Sequence, residues 1–531
     1  MDLATGWTGR TACALQAAFR LSNEAFAERL GIGVRTVASW HQKPSLQPRP
    51  EMQQVLDAAL ERASQPIKAR FAVLAGSSVP AQIAPLEDQD DAGKAFDAER
   101  RLSTDPNIGA ALDRLDLYAD WQPGTARGQV ASELARLDAR QLQDRASRRR
   151  RVGQRQIAEA MGDYYRGPTS DHGCYSAQYG PDIDVATSVL THPAWLDLEC
   201  PLTAACDGLT LTPTTDTDLS LDEEAARAAV RRLAETLAMG TRLVDMPLYR
   251  LLDVDVRNGA ISGSVGVTQF VRYALTLDLL EGELIDALTA GVSPHTAQLP
   301  LRDRYLPDLA SVLALAGRLN AGGALALTAI ARPADPYRGP ADYVLLIQER
   351  SGDVVNAARR LAVIPKGFHQ PMTDYRSDAR IGATLRREME EELFGRKDTD
   401  NTLGKPYAAD PMHAMRLSEP MRWLADNPGS LRTECTGFGL NLVSGNFEFA
   451  SLIVIDAEDF WSRYGGQVMA NWESVFLRQY SSLDRESSAE LVQDAGWSNE
   501  GLFAFLQGLR RLKQIGGDRV NMPAIEWQIL R

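Results

Sequence analysis

At 531 residues the chain is too long for one small module and is expected to hold several folding units. Its 44% hydrophobic and 24% charged residues exclude a disordered polymer and supply enough apolar material for real cores. The formal charge of −13, from 57 Lys and Arg against 70 Asp and Glu, excludes a protein that coats nucleic acid or anionic membrane along its whole surface. Cys13, Cys174, Cys200, Cys206 and Cys435 are scattered, odd in number and form no CxxC, so no disulfide framework or Cys-rich zinc site is expected. Without a run of about 18 apolar residues or a signal-peptide pattern, the chain reads as soluble and cytoplasmic, with no membrane partner.

Residues 1–70 reverse the overall charge, with nine basic groups against six acidic ones, a net +3. Leu15 and Phe19 sit at helical spacing. Ser22 then stands as a cap before NEAFAERL, whose Phe26 and Leu30 share a face. After Gly31-Ile32-Gly33 comes VRTVASWHQK, with Val37 and Trp40 three apart. Two short helices around a tight glycine turn are helix-turn-helix geometry, and the bland alternative is a helical hairpin for protein contacts. The stretch LSNEAFAERLGIGVRTVASWHQK resembles the Xre-type, phage-repressor-like helix-turn-helix family. The resemblance implies double-stranded DNA as partner. Val34, Arg35, Thr36 and Ser39 would face the major groove and Gln42 and Lys43 would contact phosphate, with a homodimer on a two-fold site. Met52, Val55, Leu56 and Leu60 predict a further amphipathic helix, and residues 71–96, with their Pro/Ala start and acidic cluster, read as a linker.

Residues 97–165 are helical in pattern and end in RASRRRRVGQR, where Arg148, Arg149, Arg150 and Arg151 are consecutive. That run serves either as a second phosphate-contacting patch or as a basic face pairing with the acidic remainder. Residues 166–330 predict a mixed α/β domain without a readable role. Its signals are a helix from EEAARAAV with a Ser220/Glu223 capping box and a Gly240 stop, a hairpin turning at Asn258-Gly259, and helices in YALTLDLLEGELIDALTAG and YLPDLASVLALAGRLNAG.

The sharpest chemical feature is LRREMEEELFG. On an α-helix Glu388, Glu391 and Glu392 fall at i, i+3 and i+4, converging on one face, while Glu390 points away. Composition alone favours a solvated acidic face. Upstream, ADYVLLIQER and RRLAVIPKGF read as strands, the second ending in Pro365-Lys366-Gly367. This order, followed by a helix bearing Arg-Glu-x-x-Glu-Glu, resembles the Nudix family over roughly 335–480. The resemblance implies Mg2+ or Mn2+ held by Glu388, Glu391 and Glu392, a carboxylate oriented by Arg387, and Glu391, Glu392 or Glu448 as catalytic candidates. Its substrates would be nucleoside diphosphate derivatives. Gly367 lies too far before Arg387, Ala379 stands where the family has Glu, and Phe394 precedes Gly395 where a glycine is expected. The tail from WSNEGLFAFLQGLRRL to Trp527 reads as closing helices. The expected whole is multidomain: an all-α helix-turn-helix head (1–70), a helical connector, and an α+β body ending in a Nudix-like α/β/α domain (331–531). Its function would be a DNA-binding transcription regulator sensing a nucleotide-type effector, or alternatively an active Mg-dependent hydrolase that uses the head for recruitment or autoregulation.

Overall fold

The computed structural model describes residues 7–19, 26–27, 30, 32–33, 36–37, 39–40, 46–61, 71, 91–105, 107–167, 171–213, 219–241, 243–295, 297–350, 359–396, 410–468 and 474–531. Two compact units divide the chain, Met1–Ala92 and Gly93–Arg531. No helix among the described residues is long and apolar enough to cross a membrane.

The first unit is helical. Helix α1 (Gly9–Phe19) buries Ala12, Leu15 and Ala18, and α2 (Pro50–Glu61) opens on a proline at its first position and buries Leu56. Phe26, Ala27, Leu30, Val37 and Trp40, the apolar positions of the expected helix pair, enter the same core. The Trp7 indole donates to Asp57 at 2.7 Å, tying the segment before α1 to α2. Ser22 lies outside the described residues, as do positions 72–90 of the expected linker.

The second unit combines helices with a large mixed sheet. Helices α3 (Asp91–Thr104), α4 (Ile108–Tyr118), α5 (Thr125–Arg136), α6 (Ala139–Arg149) and α7 (Gln154–Tyr164) come first. The buried Asp116 carboxylate accepts from the amides of Gly124 and Ala126, locking the turn between α4 and α5. Strands β1 (Gly173–Tyr179), β2 (Ile183–Thr191), β3 (Leu196–Pro201) and β4 (Asp207–Leu211) precede α8 (Glu223–Met239). The cap of α8 is Asp222, which stands directly before the first helical residue and accepts from Ala225, rather than Ser220 two residues further back. Gly240 ends α8 in the left-handed region, as its position suggests. The hairpin β5 (Pro247–Arg257) and β6 (Ala260–Gln269) turns at Asn258-Gly259 and forms a three-stranded sheet with β4. Short helices α9 (Phe270–Ala274), α10 (Leu279–Thr289), α11 (Pro300–Tyr305) and α12 (Leu309–Leu313) follow.

Then come β7 (Gly322–Arg332), β8 (Asp342–Arg350), β9 (Leu361–Val363), β10 (Lys366–Phe368), α13 (Ile381–Glu388), α14 (Glu419–Asp426), β11 (Leu431–Asn441), β12 (Phe447–Ile455), α15 (Glu458–Tyr464), β13 (Ser474–Ser481), α16 (Arg485–Val492), α17 (Asn499–Ile515) and β14 (Ile525–Leu530). The described residues form an eleven-stranded sheet in the order β13-β8-β7-β12-β11-β2-β1-β14, with β10 on β7, β3 on β11 and β9 on β8. Pairs are antiparallel except β7 with β12. Strands β1 to β3 and β14 thus extend the sheet that the β7–β12 region begins, and residue 331 falls inside β7 rather than between two bodies. The tail ends in β14, paired with β1, where helix was expected: alternating burial in IEWQIL is a strand pattern.

Central strands β7, β8 and β12 are covered on both faces, as their near-continuous burial requires. Successive residues of β7 alternate between two cores. Leu325 and Leu327 meet Phe503, Leu506 and Leu509 of α17, while Ala324 and Ala326 share the opposite core with Ile381, Leu385 and Met389. The helix comes close because Gly508 has no side chain: a Cβ there would stand 2.8 Å from Leu327 Cβ. Gly508→Ala gains helix propensity of about 1 kcal/mol but forces apart a packed layer at about 1–3 kcal/mol. Net destabilisation is expected in denaturant melts, and an unchanged or raised midpoint would show that the layer yields freely.

Candidate functional site

Helix α13 starts after Arg380 and winds as α through Glu388, after which Met389–Leu393 forms one π turn. In a π turn bonding runs i to i+5, so Glu391 and Glu392 do not keep the i+3 and i+4 phase from Glu388 that a regular helix gives. The site candidates on this helix are also far from solvated. Glu388, Glu390, Glu391 and Glu392 are all buried, and buried carboxylates need partners. Glu388 takes an ion pair from its neighbour Arg387, whose guanidinium also donates to the carbonyls of Phe368 and Gln370 at 3.1 and 3.2 Å. Arg387 thereby orients a carboxylate and clamps the β10 loop to the helix. Gly367 lets that happen: any Cβ there would run into the Glu388 carboxylate. Glu390 accepts from the Ser418 amide at 2.8 Å and pairs with Arg396, so it faces inward against the α14 side. Glu392 accepts the Lys366 amide at 2.7 Å. The solvated-face expectation fails because the helix lies between the sheet and the loops that follow it.

Among the described residues, no group of three or more His, Cys, Asp or Glu is arranged to hold a metal ion. Arg387 and the Lys366 amide already engage Glu388 and Glu392 and compete there with Mg2+ or Mn2+, and no catalytic step is built through one. The departures from the Nudix pattern have structural occupations too. Asp378 accepts the amides of Met372, Thr373 and Asp374 and ties the loop together. The Ala379 carbonyl lies 3.0 Å from Nε2 of the buried His369, whose Nδ1 is 2.8 Å from Thr384 Oγ1. Burial pushes His369 down to about 3, so this ring is neutral at physiological pH.

Beside the helix lies a buried charge cluster that the pattern of the sequence does not announce. Lys366 Nζ pairs with Glu500 at 2.5 Å, and Asn441 donates to the other Glu500 oxygen at 3.1 Å. Burial opposes ionisation of Glu500, but Lys366 overcomes it and holds the carboxyl below its usual range. Glu448 on β12 goes the other way. Burial, then the charge of Glu500, pushes it up to about 8 despite Lys366 and Arg350. Glu281 on α10 is also held above the usual range, by burial and by Asp278 and Glu500. Glu500 and Lys366 were legible only as a first-turn acid of α17 and as the middle of Pro-Lys-Gly.

Of the DNA-facing candidates, Thr36 and Ser39 are helical and half-buried, with the Ser39 hydroxyl donating to the Thr36 carbonyl at 2.7 Å. Val34, Arg35, Gln42 and Lys43 lie outside the described residues. In the arginine run α6 stops at Arg149, so Arg150 and Arg151 form a turn rather than continuing the helix. Arg149 pairs with Asp286 at 2.5 Å, and Arg145 with Asp286 and Glu235, while Arg148, Arg150 and Arg151 are exposed. Of the four consecutive arginines, Arg149 thus pairs with the acidic remainder. Comparison with models of protein families and with curated proteins gives no match.

The sign of the Glu448 shift sets a pH dependence. The folded carboxyl keeps its proton to about 8, whereas an unburied one releases it near 4.5, so Glu448 costs stability increasingly as pH rises through that window. Glu448→Gln, which imitates the neutral acid, is expected to melt several degrees above the parent at about pH 9 and level with it near pH 4. Parallel melting curves at both pH values would mean that Glu448 is ionised at no cost.

Proposed function

We propose that the chain is a cytoplasmic DNA-binding transcription regulator whose Nudix-like C-terminal part, residues 331–531, senses a nucleotide-type small ligand. Its Xre-type head reads duplex DNA as a homodimer, with residues 71–96 as linker and 97–165 as helical connector. The observation that carries sensing over turnover is the internal use of the acidic helix: Glu388, Glu390 and Glu392 are occupied by Arg387, Ser418 with Arg396, and the Lys366 amide. A hydrolase needs such carboxylates free to hold a metal at the reacting phosphate. The head reading is supported by burial of the apolar positions the motif requires, Phe26, Ala27, Leu30, Val37 and Trp40.

Gel shifts of the full chain at low salt test the regulator. Sequence-selective, saturable binding is expected. Arg35→Ala should relax base preference by about 1–3 kcal/mol, and Lys43→Ala should weaken all sequences alike while lowering the salt slope by about 1. Failure of any selective shift sinks the DNA-reading head. Phosphate release from a panel of nucleoside diphosphate derivatives with Mg2+, abolished in Glu391→Gln with Glu392→Gln, would replace sensing by hydrolysis.

A further inference from the structure

A cleft of about 1140 Å3 opens in the second unit between α6, α8 and α10, with the Arg359–Arg360 segment and Gly496 completing its wall. Its size suits a small ligand of nucleotide dimensions or more. Six acids and a larger number of arginines line it, and the acids are nearly all spoken for. Asp286 and Glu235 hold Arg145 and Arg149, Asp278 holds Arg232, and Glu349 pairs with Arg478. Glu283 accepts the amides of Leu301 and Arg302 at 2.8 and 3.0 Å. Glu281 at the inner end has its charge opposed by burial.

The arginines are not so balanced. Arg150, Arg359 and Arg360 have no carboxylate within ion-pair distance among the described residues, although they share one edge of the cleft. Two contacts bring them there. Arg360 donates to the Val152 carbonyl at 2.7 Å, fixing the 150–152 turn against the start of β9, and the Gln154 amide donates to Ala495 beside Gly496. Arg359 adopts φ +60, a left-handed conformation that non-glycine residues rarely hold. Arg150 and Arg359 lie close enough that the charge of each opposes the other: burial and then Arg359 lower Arg150 from its usual value. Glu349 acts on Arg150 and Glu281 and Glu500 on Arg360 only from beyond ion-pair distance, and guanidinium groups left without a carboxylate in contact are the donor set that forks onto phosphate oxygens.

We propose that this cleft binds a small anion bearing two or more phosphate groups, gripped by Arg150, Arg359 and Arg360. It places the ligand away from the acidic helix and rests on the sensor reading for its biological sense, but not on the DNA-reading head. The cleft is concave and walled by helices, which favours a small molecule over the convex backbone of a duplex. Because α6 supplies one wall and the body supplies the other, a bound polyanion bridges connector and body.

The test is calorimetric titration of the full chain with inorganic tripolyphosphate, using phosphate and sulfate as weaker comparators. Saturable binding is expected, with Arg150→Gln combined with Arg359→Gln weakening it at least tenfold. Arg148→Gln combined with Arg151→Gln, exposed outside the cleft, should leave it unchanged. Arg150 and Arg359 are themselves exposed, so the double variant should keep the parent's melting curve. Absence of tripolyphosphate binding overturns the site, as does equal binding by both double variants. If Arg150→Gln with Arg359→Gln instead lowers only the salt slope of DNA binding, the run serves duplex phosphate and the proposal fails. Loss of all DNA binding by the parent chain with tripolyphosphate binding intact would sink the regulator reading and leave the cleft standing.

Discussion

The buried pair of Lys366 and Glu500 is the constraint around which the second unit is arranged. Taking an ammonium and a carboxylate out of water is costly, and the cost is offset only by close geometry and further hydrogen bonds. Both are present: the ions stand 2.5 Å apart, Asn441 donates to the second oxygen, and Glu500 occupies the first turn of α17, where the helix dipole favours an anion. The pair joins β10 to the start of α17. Once Lys366 is held there, its amide is presented to Glu392, and Gly367 is brought under Glu388, where no side chain fits. Arg387 then closes the loop by gripping Phe368 and Gln370. The same pair explains Glu448, which shares its surroundings with an ionised Glu500 and stays protonated over the range in which an exposed acid would not.

Local pattern made some of this legible. The apolar positions of the head, the strands at ADYVLLIQER and FEFASLIVI, the Asn258-Gly259 hairpin and the Gly240 stop follow from periodicity and turn chemistry, which depend on neighbours in the chain. Long-range pairing was not legible. That β14 would seat against β1, or that β2 would continue from β11, depends on contacts between segments hundreds of residues apart, so a boundary drawn near 331 cut through a continuous sheet. The acidic helix shows the same limit on a smaller scale. Spacing says which carboxylates share a face of an ideal helix, but neither the π turn nor the burial of all four is encoded in spacing. The burial comes from what packs on the helix, Met389 and Leu393 toward the core and Arg396 with Ser418 at its end.

The charges of the second unit also divide by purpose, which bears on where a ligand's charge can go. Glu388, Glu390 and Glu392 of the acidic helix meet protein donors supplied from adjoining segments, so a cation that displaced Arg387 or the Lys366 amide would leave a buried donor unmatched. Such an orphan costs about 1–3 kcal/mol or more when charged. An incoming anion meets the opposite situation at the cleft. There the charges of Arg150 and Arg359 oppose one another, and a phosphate both relieves that opposition and gains charge-assisted bonds. The net charge of −13 conceals this, because it averages over carboxylates engaged by donors and arginines that are not. By the local accounting, an acidic protein is better placed to receive an anion at its connector than a cation at its most acidic helix.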